Sequence, residues 1–551
     1  MKNNNKFRLD VWGAITLGTI ALYALFLLYP MAYLIRQSVL DPDTGSFTLA
    51  YFTKFFSKSY YFDTLINSFK VSITATVLSI AIGTPLAYLF TIFKIKGKSV
   101  LNILIVVASM SAPFIGAYSW ILLLGRSGVI TTYFKNLGIT IPDIYGFGGI
   151  VLVMTLQLFP LVFLYAKGAL KNIDNSLIEA AENLGCSGIA CFFKVVVPLI
   201  MPTLLAAALL VFMRSFADFG TPMLIGEGYR TFPVVLYTEF INEVGGSDGF
   251  AAAIAVIAIV ITTLVFLVQK YVSNKNAFAL NSMHPVEERE ARKGINALVH
   301  LAVYLVVGVA ILPQAYVIYT SFKNTQGKIF VDGYSLQSYQ TAIGKLGRSI
   351  QNTISIPLLA LVVIVLLAVL IAYLVVRRRN ALTNVVDILS MIPYIVPGTV
   401  LGIALLIGFN KPPLLISGTM LIMVVALIIR RLPYTIRSSV AILQQIPMSI
   451  EEAAISLGAS KMKAFFRITV PMMASGIISG AILSWVTMIS ELSTAIILYT
   501  GKTKTLTVAI YTEVIRGNYG TAAALSTIMT ILTVISLLAF SKLNGGKDIS
   551  L

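Results

Sequence analysis

The sequence predicts an all-α polytopic membrane protein with about twelve transmembrane helices in two tandem halves of six. Its composition is the first reason: 57% of the 551 residues are hydrophobic, 12% are charged and the mean hydropathy is +0.88, which the polar surface of a soluble domain does not allow. The second is that apolar runs of about 20 residues, long enough to cross a hydrocarbon core as helices, recur along the whole chain. The third is an internal repeat, in which a polar stretch of the first half returns nearly unchanged in the second.

Apolar runs bounded by glycine, proline and charge place six spans in each half. The predicted spans of the first half are 12–34, 68–93, 101–125, 148–169, 199–225 and 250–270. Those of the second half are 298–320, 352–376, 385–409, 414–430, 472–500 and 519–541. The first run is too long for the core of a signal peptide and lacks a small-residue cleavage site, so we interpret it as a retained span.

The basic residues indicate which ends of the spans face the cytoplasm. The chain has 41 lysines and arginines against 23 acidic residues, a formal net charge of +18, and excess lysine and arginine is typical of the cytoplasmic side. With the N-terminus inside, most of these residues fall in or beside the predicted inward segments, and the C-terminus is also cytoplasmic. A nucleic-acid surface would need its basic residues gathered on one soluble module, so no nucleic-acid partner is expected.

The longest polar break, residues 273–297, separates the halves and is predicted to be a cytoplasmic linker. The first transmembrane domain therefore comprises residues 1–272 and the second residues 298–551. Within the linker, His284 and the run EERE are expected to be solvated, as charge runs usually are.

A constant shift of 273 residues relates the halves. Residues 176–198 align without gaps on residues 449–471, and 11 of the 23 positions are identical. Each copy predicts a short helix with serine near its start and glutamate in its first turn, then a glycine turn and a proline that opens the next span. One copy alone is equally well explained as a tight loop. Two copies in one register favour a polar elbow that docks onto a two-fold partner, and parallel repeats place a pathway at their interface.

The segments EAAENLG and EEAAISLG, followed by Pro198 and Pro471, resemble the EAA loops of ABC importer permeases. The resemblance covers nearly the whole chain and implies two fused type I permease domains, with EAA loops near 175–198 and 448–471, in the cytoplasmic membrane of a prokaryote. It also implies that the loops form coupling helices in a cleft of the ATP-hydrolysing subunit. By this resemblance the ATPase-coupling residues are Glu179, Ala180, Ala181, Gly185, Glu452, Ala453, Ala454 and Gly458.

The same resemblance implies partners: two ATP-binding cassette subunits on the cytoplasmic side and an extracytoplasmic solute-binding protein, besides the lipid bilayer. A P-loop needs a leading glycine, but Ile92 and Ile496 stand there before the sequences GKS and GKT. We therefore expect a transport subunit without catalytic residues or a cofactor of its own, with ATP used by the partner. Two cysteines and two histidines cannot assemble a disulfide framework or a Cys/His metal cluster, so no metal site is assigned.

The shift of 273 also pairs Asp218 with Glu491, inside the fifth predicted span of each half. Carboxylates at membrane depth are costly and usually face the bundle interior or a watery cavity. Two of them about a pseudo-two-fold axis suggest an acidic ring for a cationic solute, with Arg214 as a further candidate for the translocation pathway. The alternative is structural, because Arg214 could pair with Asp218 along the helix and either acid could cap a helix or lie near the outer interface.

Two segments near these acids, FADFGTPMLIG at 216–226 and SELSTAIILYTGKTKTLTVAIYTEVI at 490–515, resemble the ferric-iron branch of the family, whose fused members receive iron from a binding protein. The resemblance implies ferric iron as the solute. Thiamine, phosphonate and polyamine permeases are similar alternatives, and Ser493 replaces Gly220, so the two half-sites differ. An ion-coupled secondary transporter is the alternative from another class, and the twin elbows argue against it.

Overall fold

The computed structural model describes residues 10–42, 44–110, 113–186, 188–242, 248–275, 284, 286, 288–290, 293–327 and 329–543. The predicted cytoplasmic ends of the chain and a part of the linker, including residues 276–283, lie outside these described residues.

The regular structure of the described chain is almost entirely helical. The α-helices of the first half are Val11–Tyr23, Tyr29–Val39, Ala50–Ser57, Ser59–Ile92, Lys98–Met110, Pro113–Leu124, Val129–Asn136, Phe147–Lys171, Asn175–Asn183, Gly188–Cys191, Val197–Phe216, Gly220–Ile225, Phe232–Ile241 and Asp248–Lys275. Those of the second half are Lys293–Ser321, Gln337–Arg377, Ala381–Ile395, Gly398–Gly408, Met420–Gln445, Met448–Ser456, Lys461–Ala464, Val470–Met472, Ala474–Ile489, Ala495–Leu498, Leu506–Arg516 and Tyr519–Leu543. π-helical turns occupy Ala24–Leu28, Phe192–Val196 and Phe465–Thr469, and strands Lys323–Gln326 and Ile329–Tyr334 form an antiparallel hairpin.

Every predicted span overlaps a helix, but the count of twelve is not confirmed. Among the described residues, eight helices are long and apolar enough to cross a membrane, or up to ten if each of two bent helix pairs is one span. The predicted span 101–125 is divided between helices Lys98–Met110 and Pro113–Leu124. The predicted span 414–430 is misplaced, because the helix runs over Met420–Gln445 and carries three arginines.

The two bent pairs are formed by consecutive helices. Helices Ala381–Ile395 and Gly398–Gly408 meet at 111°, and helices Lys461–Met472 and Ala474–Ile489 meet at 66°. Irregular backbone at membrane depth is tolerated where it is buried in protein or lines a cavity. The first of these breaks lines the cavity described below.

The internal repeat is present in the structure at matching helix bounds. With the shift of 273, helix Phe147–Lys171 begins at the residue equivalent to the start of Met420–Gln445, and Asn175–Asn183 coincides with Met448–Ser456 at both ends. The π-helical turns that follow the short helices also coincide, and the next helices end at the equivalent residues 216 and 489. Residues 273 apart are therefore structural equivalents throughout this region.

Each half packs its first long helix against the other half. Helix Tyr29–Val39 contacts Gly398–Gly408, and helix Lys293–Ser321 contacts Lys98–Met110 and Pro113–Leu124. The largest cluster of buried apolar side chains accordingly includes residues from both halves. This reciprocal exchange holds the halves together independently of the linker.

Close packing joins the central helices within each half, because lipid is as apolar as leucine and provides no hydrophobic drive for helix association. In the first half, Gly83 of helix Ser59–Ile92 lies against helix Phe147–Lys171. A Cβ added at Gly83 would come within 2.8 Å of the Phe159 carbonyl oxygen and of the Val162 Cβ. A small residue is therefore required at this crossing.

Candidate functional site: two elbows and a shared cavity

Two elbows, the first over residues 175–198 and the second over residues 448–471, occupy equivalent positions in the two halves. Each consists of a short helix, a glycine turn and a second short helix that continues through a π-helical turn into a long helix. The side chains predicted to couple to a partner are accessible in both copies. Glu179, Ala180, Gly185, Glu452, Ala453 and Gly458 are exposed, and Ala181 and Ala454 are half-buried.

The glycine turn of the first elbow has the geometry of a Schellman motif. The Gly185 amide donates to the Glu182 carbonyl at 3.0 Å, and the Cys186 amide donates to the Ala181 carbonyl at 2.9 Å. Gly185 has φ +84°, a left-handed conformation that disfavours any side chain. The second elbow repeats these bonds at 2.9 and 3.0 Å, and its Gly458 has φ +91°.

Apolar side chains stand at the tip of both elbows. Leu184 and Leu457, the residues before the two glycines, are each 90% exposed. Phe193 and Phe466 are equivalent to each other and are 64% and 58% exposed. Leu184 and Leu457 lie on polar elbows outside the candidate spans, so their exposure indicates a surface that contacts a partner. Their recurrence 273 residues apart indicates two equivalent contacts.

The second elbow is anchored by a buried ion pair. Glu451 accepts hydrogen bonds from Arg377 Nε at 3.2 Å and from the Tyr373 hydroxyl at 3.1 Å, and the Glu451 and Arg377 side chains are 4% and 9% exposed. Arg377 also donates to the Ile446 carbonyl at 2.6 Å. In the first elbow the position of Glu451 is taken by Ile178, which is buried. The same position thus holds one elbow by charge and the other by apolar contact.

The first elbow is instead held by the linker. Arg289 donates through both terminal nitrogens to the Glu182 carboxylate, at 3.0 and 2.7 Å, and its backbone amide donates to the Ile92 carbonyl at 2.8 Å. The hydrogen bond from Arg289 lowers the pKa of Glu182 below its ordinary value of 4.5. The linker therefore joins the elbow to the end of helix Ser59–Ile92.

The described residues of the EERE run are exposed, as expected, but they also form ion pairs. Glu288 forms an ion pair with Lys98, and Glu290 forms one with Lys94 at 3.5 Å. The His284 side chain is exposed, as expected, although its carbonyl accepts a hydrogen bond from the Asn175 amide at 2.9 Å. These contacts could not be predicted from the sequence, because a run of charged residues does not indicate with which distant charges it will form ion pairs.

A cavity of about 340 Å³ lies where the two halves meet. Its wall includes pairs of residues that are 273 apart, so the pseudo-two-fold axis passes through it. These pairs are Gln157/Arg430, Leu158/Arg431, Leu161/Tyr434, Leu210/Leu483, Met213/Val486, Arg214/Thr487, Ala217/Ser490, Asp218/Glu491 and Gly220/Ser493. Val396 and Pro397, at the sharp break between two helices, complete one side. The volume is within the range of small-solute sites, and Asp218, Glu491 and Arg214 all line it.

Asp218 acts as a helix cap. It lies just after helix Val197–Phe216, and its two carboxylate oxygens accept hydrogen bonds from the amides of Gly220 and Thr221 at 3.2 and 3.3 Å. No ion pair joins it to Arg214 within the described structure. Of the two structural alternatives for this acid, capping is therefore observed and pairing along the helix is not.

Glu491 is buried between two arginines. It forms ion pairs with Arg430, at 3.2 Å, and with Arg431, and it accepts a hydrogen bond from the Thr494 amide at 3.1 Å. Arg430 Nη1 donates to the Thr494 hydroxyl at 2.9 Å and lies over Gly398, where an added Cβ would be 1.5 Å from that nitrogen. Because Gly398 has no side chain, there is room for the guanidinium of Arg430 beside it.

The cavity wall is therefore not the predicted acidic ring. Three arginines, Arg214, Arg430 and Arg431, line it together with two carboxylates, and both carboxylates are engaged in the contacts just described. The fold brings the predicted residues to one site, but the prediction of a negatively charged wall is wrong. The repeat itself could have revealed the two missed arginines, because shifting the predicted span 148–169 by 273 puts its partner at 421–442, with both arginines inside it.

A helical bundle with two equivalent halves, a cavity on the axis between them and two exposed elbows defines a membrane transport permease. Comparison with known proteins gives the family. Residues 46–277 and 364–544 match the family described as binding-protein-dependent transport system inner membrane component, and the chain belongs to it. It is therefore a multi-pass inner-membrane component of an ABC importer.

Two relatives that match both halves of this chain are named as ferric transport permeases. The ferric transport system permease protein FbpB of Actinobacillus pleuropneumoniae is 27% identical, over 100% of this chain and 80% of its own length. The putative ferric transport system permease protein FbpB 1 of Haemophilus influenzae is 26% identical, over 88% of this chain and 77% of its own. Both halves of this chain are thus represented in a single relative, as the predicted fusion requires.

Proposed function

We propose that this chain forms the translocation pathway of an ATP-driven importer for ferric iron delivered by an extracytoplasmic binding protein. The observation that carries the importer mechanism is the pair of elbows, which present leucines of equal exposure at equivalent positions. Two ATP-binding cassette subunits, one for each elbow, account for both the duplication and the apolar tips. The termini and elbows then face the cytoplasm, and this chain has no part in ATP hydrolysis itself.

The mechanism follows from how the elbows are attached. Each is tied to long helices of its half, the second through Glu451 and the first through Arg289 and Glu182. When ATP closes the partner dimer, the elbows move together and the two halves rock about the cavity between them. ATP binding acts by favouring one of two conformations, since a ligand shifts an equilibrium only through its differential affinity.

Iron as the solute is supported by the two ferric permeases, which match this chain across both halves. Thiamine, phosphonate and polyamine remain the alternative solutes suggested by the sequence. Uptake of radiolabelled ferric iron into proteoliposomes that contain this chain, its ATPase and its binding protein tests the proposal, with thiamine and an aminophosphonate as competitors. ATP-dependent iron accumulation that neither competitor lowers supports iron. Accumulation of no iron, with ATPase activity stimulated by another solute, refutes iron and keeps the importer.

The elbow assignment has a test of its own, which is copurification of the ATPase with this chain in detergent. Changing Leu184 and Leu457 together to asparagine is expected to reduce the ATPase recovered at least about tenfold, because each change removes an apolar contact worth about 1.5–3 kcal/mol. Changing Gly185 and Gly458 to aspartate is expected to uncouple ATP hydrolysis from transport, because both glycines adopt left-handed backbone.

Matched controls exist elsewhere in the chain. Leu137 and Gly138 form the same turn after helix Val129–Asn136, with Leu137 58% exposed and Gly138 at φ +75°, on the predicted outer side. Leu137→Asn should therefore leave ATPase recovery within about twofold of the unmodified protein, and Gly138→Asp should leave ATP hydrolysis coupled to transport. Equal loss in the control and elbow variants, or full recovery in both, would refute the assignment of the elbows.

A further inference from the structure

The cavity wall offers free hydrogen-bond donors and carries a net positive charge. Arg214 is exposed to the cavity and, within the described structure, makes no ion pair or hydrogen bond. Arg431 keeps a buried Nε without a hydrogen-bond partner, although its terminal nitrogen meets Glu491. Asp218 keeps its negative charge, because the two backbone amides that donate to it are neutral, whereas Glu491 is shared by two arginines. Three arginines against two carboxylates leave the wall with a net charge of +1.

The arginines come from different halves and different helices. Arg214 is near the end of helix Val197–Phe216, whereas Arg430 and Arg431 lie in the middle of Met420–Gln445. They line one cavity from both sides of the pseudo-two-fold axis. The tyrosines Tyr165, Tyr394 and Tyr434 add phenolic groups to the same wall. A solute in the cavity therefore meets cationic and hydroxyl donors from both halves.

Charge on the solute decides whether this wall attracts or repels it. In a site with little water, an unpaired guanidinium raises the energy of a bare cation. The same guanidinium makes strong, directional hydrogen bonds to carboxylate, phosphate and similar oxygens. A passing solute with an anionic oxygen surface would use the donors that the protein leaves unpaired.

We propose that this cavity selects for negative charge, so that the solute crosses as an oxyanion or as a metal ion enclosed by anionic oxygen ligands, and not as a bare cation. This inference rests on the proposed importer function. Applied to ferric iron, it means that the ion is still carrying anionic ligands as it passes Arg214. Arg214 is the specificity-determining residue of the first half.

The test uses proteoliposomes that contain the full chain, its ATPase and its binding protein, with radiolabelled ferric iron as the probe. Arg214→Gln is expected to slow uptake at least tenfold, and Arg214→Lys is expected to keep it within about threefold because it retains the positive charge on which the selection depends. Arg348→Gln is the matched control, because it makes the same change at an exposed arginine outside the cavity wall, and its uptake should stay within about threefold of the unmodified protein. Uptake that is unchanged or faster in Arg214→Gln overturns the proposal.

The charge that crosses with iron provides an independent readout, which a merely structural role of Arg214 would not affect. A bare trivalent cation would be driven inward by an inside-negative potential, and about 100 mV would raise its rate roughly tenfold or more. An anionic complex should be slowed by that potential or left unaffected. Acceleration by the potential would therefore refute the anionic form of the solute while leaving the importer intact.

Absence of iron uptake would test the identity of the solute separately from its charge. If no iron accumulates and an aminophosphonate does, the proposed solute is wrong and the selection for negative charge is supported. If spermidine or thiamine accumulates instead, both the proposed solute and the selection for negative charge are wrong. The four probes thus separate the charge of the solute from its identity.

Discussion

Removal of the buried carboxylate of Glu451 should loosen the second elbow and leave the first unchanged. In the native protein Glu451 pairs with Arg377, and both side chains are at least 90% buried. Breaking a buried ion pair by removing one partner costs about 3–5 kcal/mol. The lower end applies here, because Arg377 keeps hydrogen bonds to the carbonyls of Ile446 at 2.6 Å and Leu443 at 3.4 Å.

The assay is amide hydrogen exchange of helix Met448–Ser456 in lipid nanodiscs, which reports the free energy of local opening. A loss of about 3 kcal/mol corresponds to roughly a hundredfold faster exchange in Glu451→Ala, since each 1.4 kcal/mol is a factor of ten. The double variant Glu451→Ile, Arg377→Met removes both charges and recreates the apolar contact of Ile178, so its exchange should return to within about tenfold of the native rate.

The equivalent helix Asn175–Asn183 is the internal control, because no buried ion pair holds it at position 178. Its exchange should be the same in all variants. Exchange of the second elbow that rises less than about threefold in Glu451→Ala would refute the anchoring role of the pair. A double variant as fast as the single one would show that an apolar contact cannot replace the charges at this position.

Three further predictions concern close contacts and one exposed ion pair. Gly83→Ala should lower the thermal stability of the solubilised protein, because its new methyl group meets backbone of the neighbouring helix at 2.8 Å and cannot push it aside. Gly398→Ala should lower both solute uptake and thermal stability, because the group it displaces is the guanidinium of Arg430, which is paired with buried Glu491. The Glu182–Arg289 pair should hold the first elbow fully above pH 4.5 and release it as the pH falls through the lowered pKa of Glu182, so that hydrogen exchange in the elbow rises in acid and Arg289→Gln removes that dependence.

A glycine in open surroundings is the control for both glycine changes. Gly308 lies inside a helix with nothing within 4 Å of an added Cβ, so Gly308→Ala should change neither stability nor uptake. Unchanged stability in Gly83→Ala would contradict the tight helix crossing, and unchanged uptake in Gly398→Ala would contradict a role for the position of Arg430.

The repeated elbows could be predicted closely because their signals are local. Each glycine turn is decided at the glycine itself, and the structure has the same helix bounds and the same left-handed glycines in both copies. The serines cap neither helix, because Asp174 caps the first and no side chain caps the second. The charge of the cavity wall was harder to predict, because the effect of a charged residue at membrane depth depends on the charges with which it is paired. Glu491 alone predicts negative charge, but Glu491 with Arg430 and Arg431 does not.

The anchoring of the first elbow by the linker could not be predicted for a different reason. Arg289 and Glu182 are separated by more than a hundred residues, and nothing local to either selects the other. The repeat gives no help, since the second elbow uses Arg377 from its own half for a related purpose. Contacts of this kind are decided by which chain segments the fold brings together.

Fusion of the halves explains why the two sides of the cavity differ. The axis makes residues 273 apart equivalent in position, and where the backbone requires one residue type, as in the glycine turns, the copies agree. At the cavity no such requirement acts, and Arg430 takes the position of Gln157 while Thr487 takes the position of Arg214. A dimer of identical subunits would have to carry every charge twice, whereas one chain can place an unpaired arginine on one side and an arginine–glutamate cluster on the other. The cavity can therefore attract an anionic solute without becoming so basic that the solute is held there.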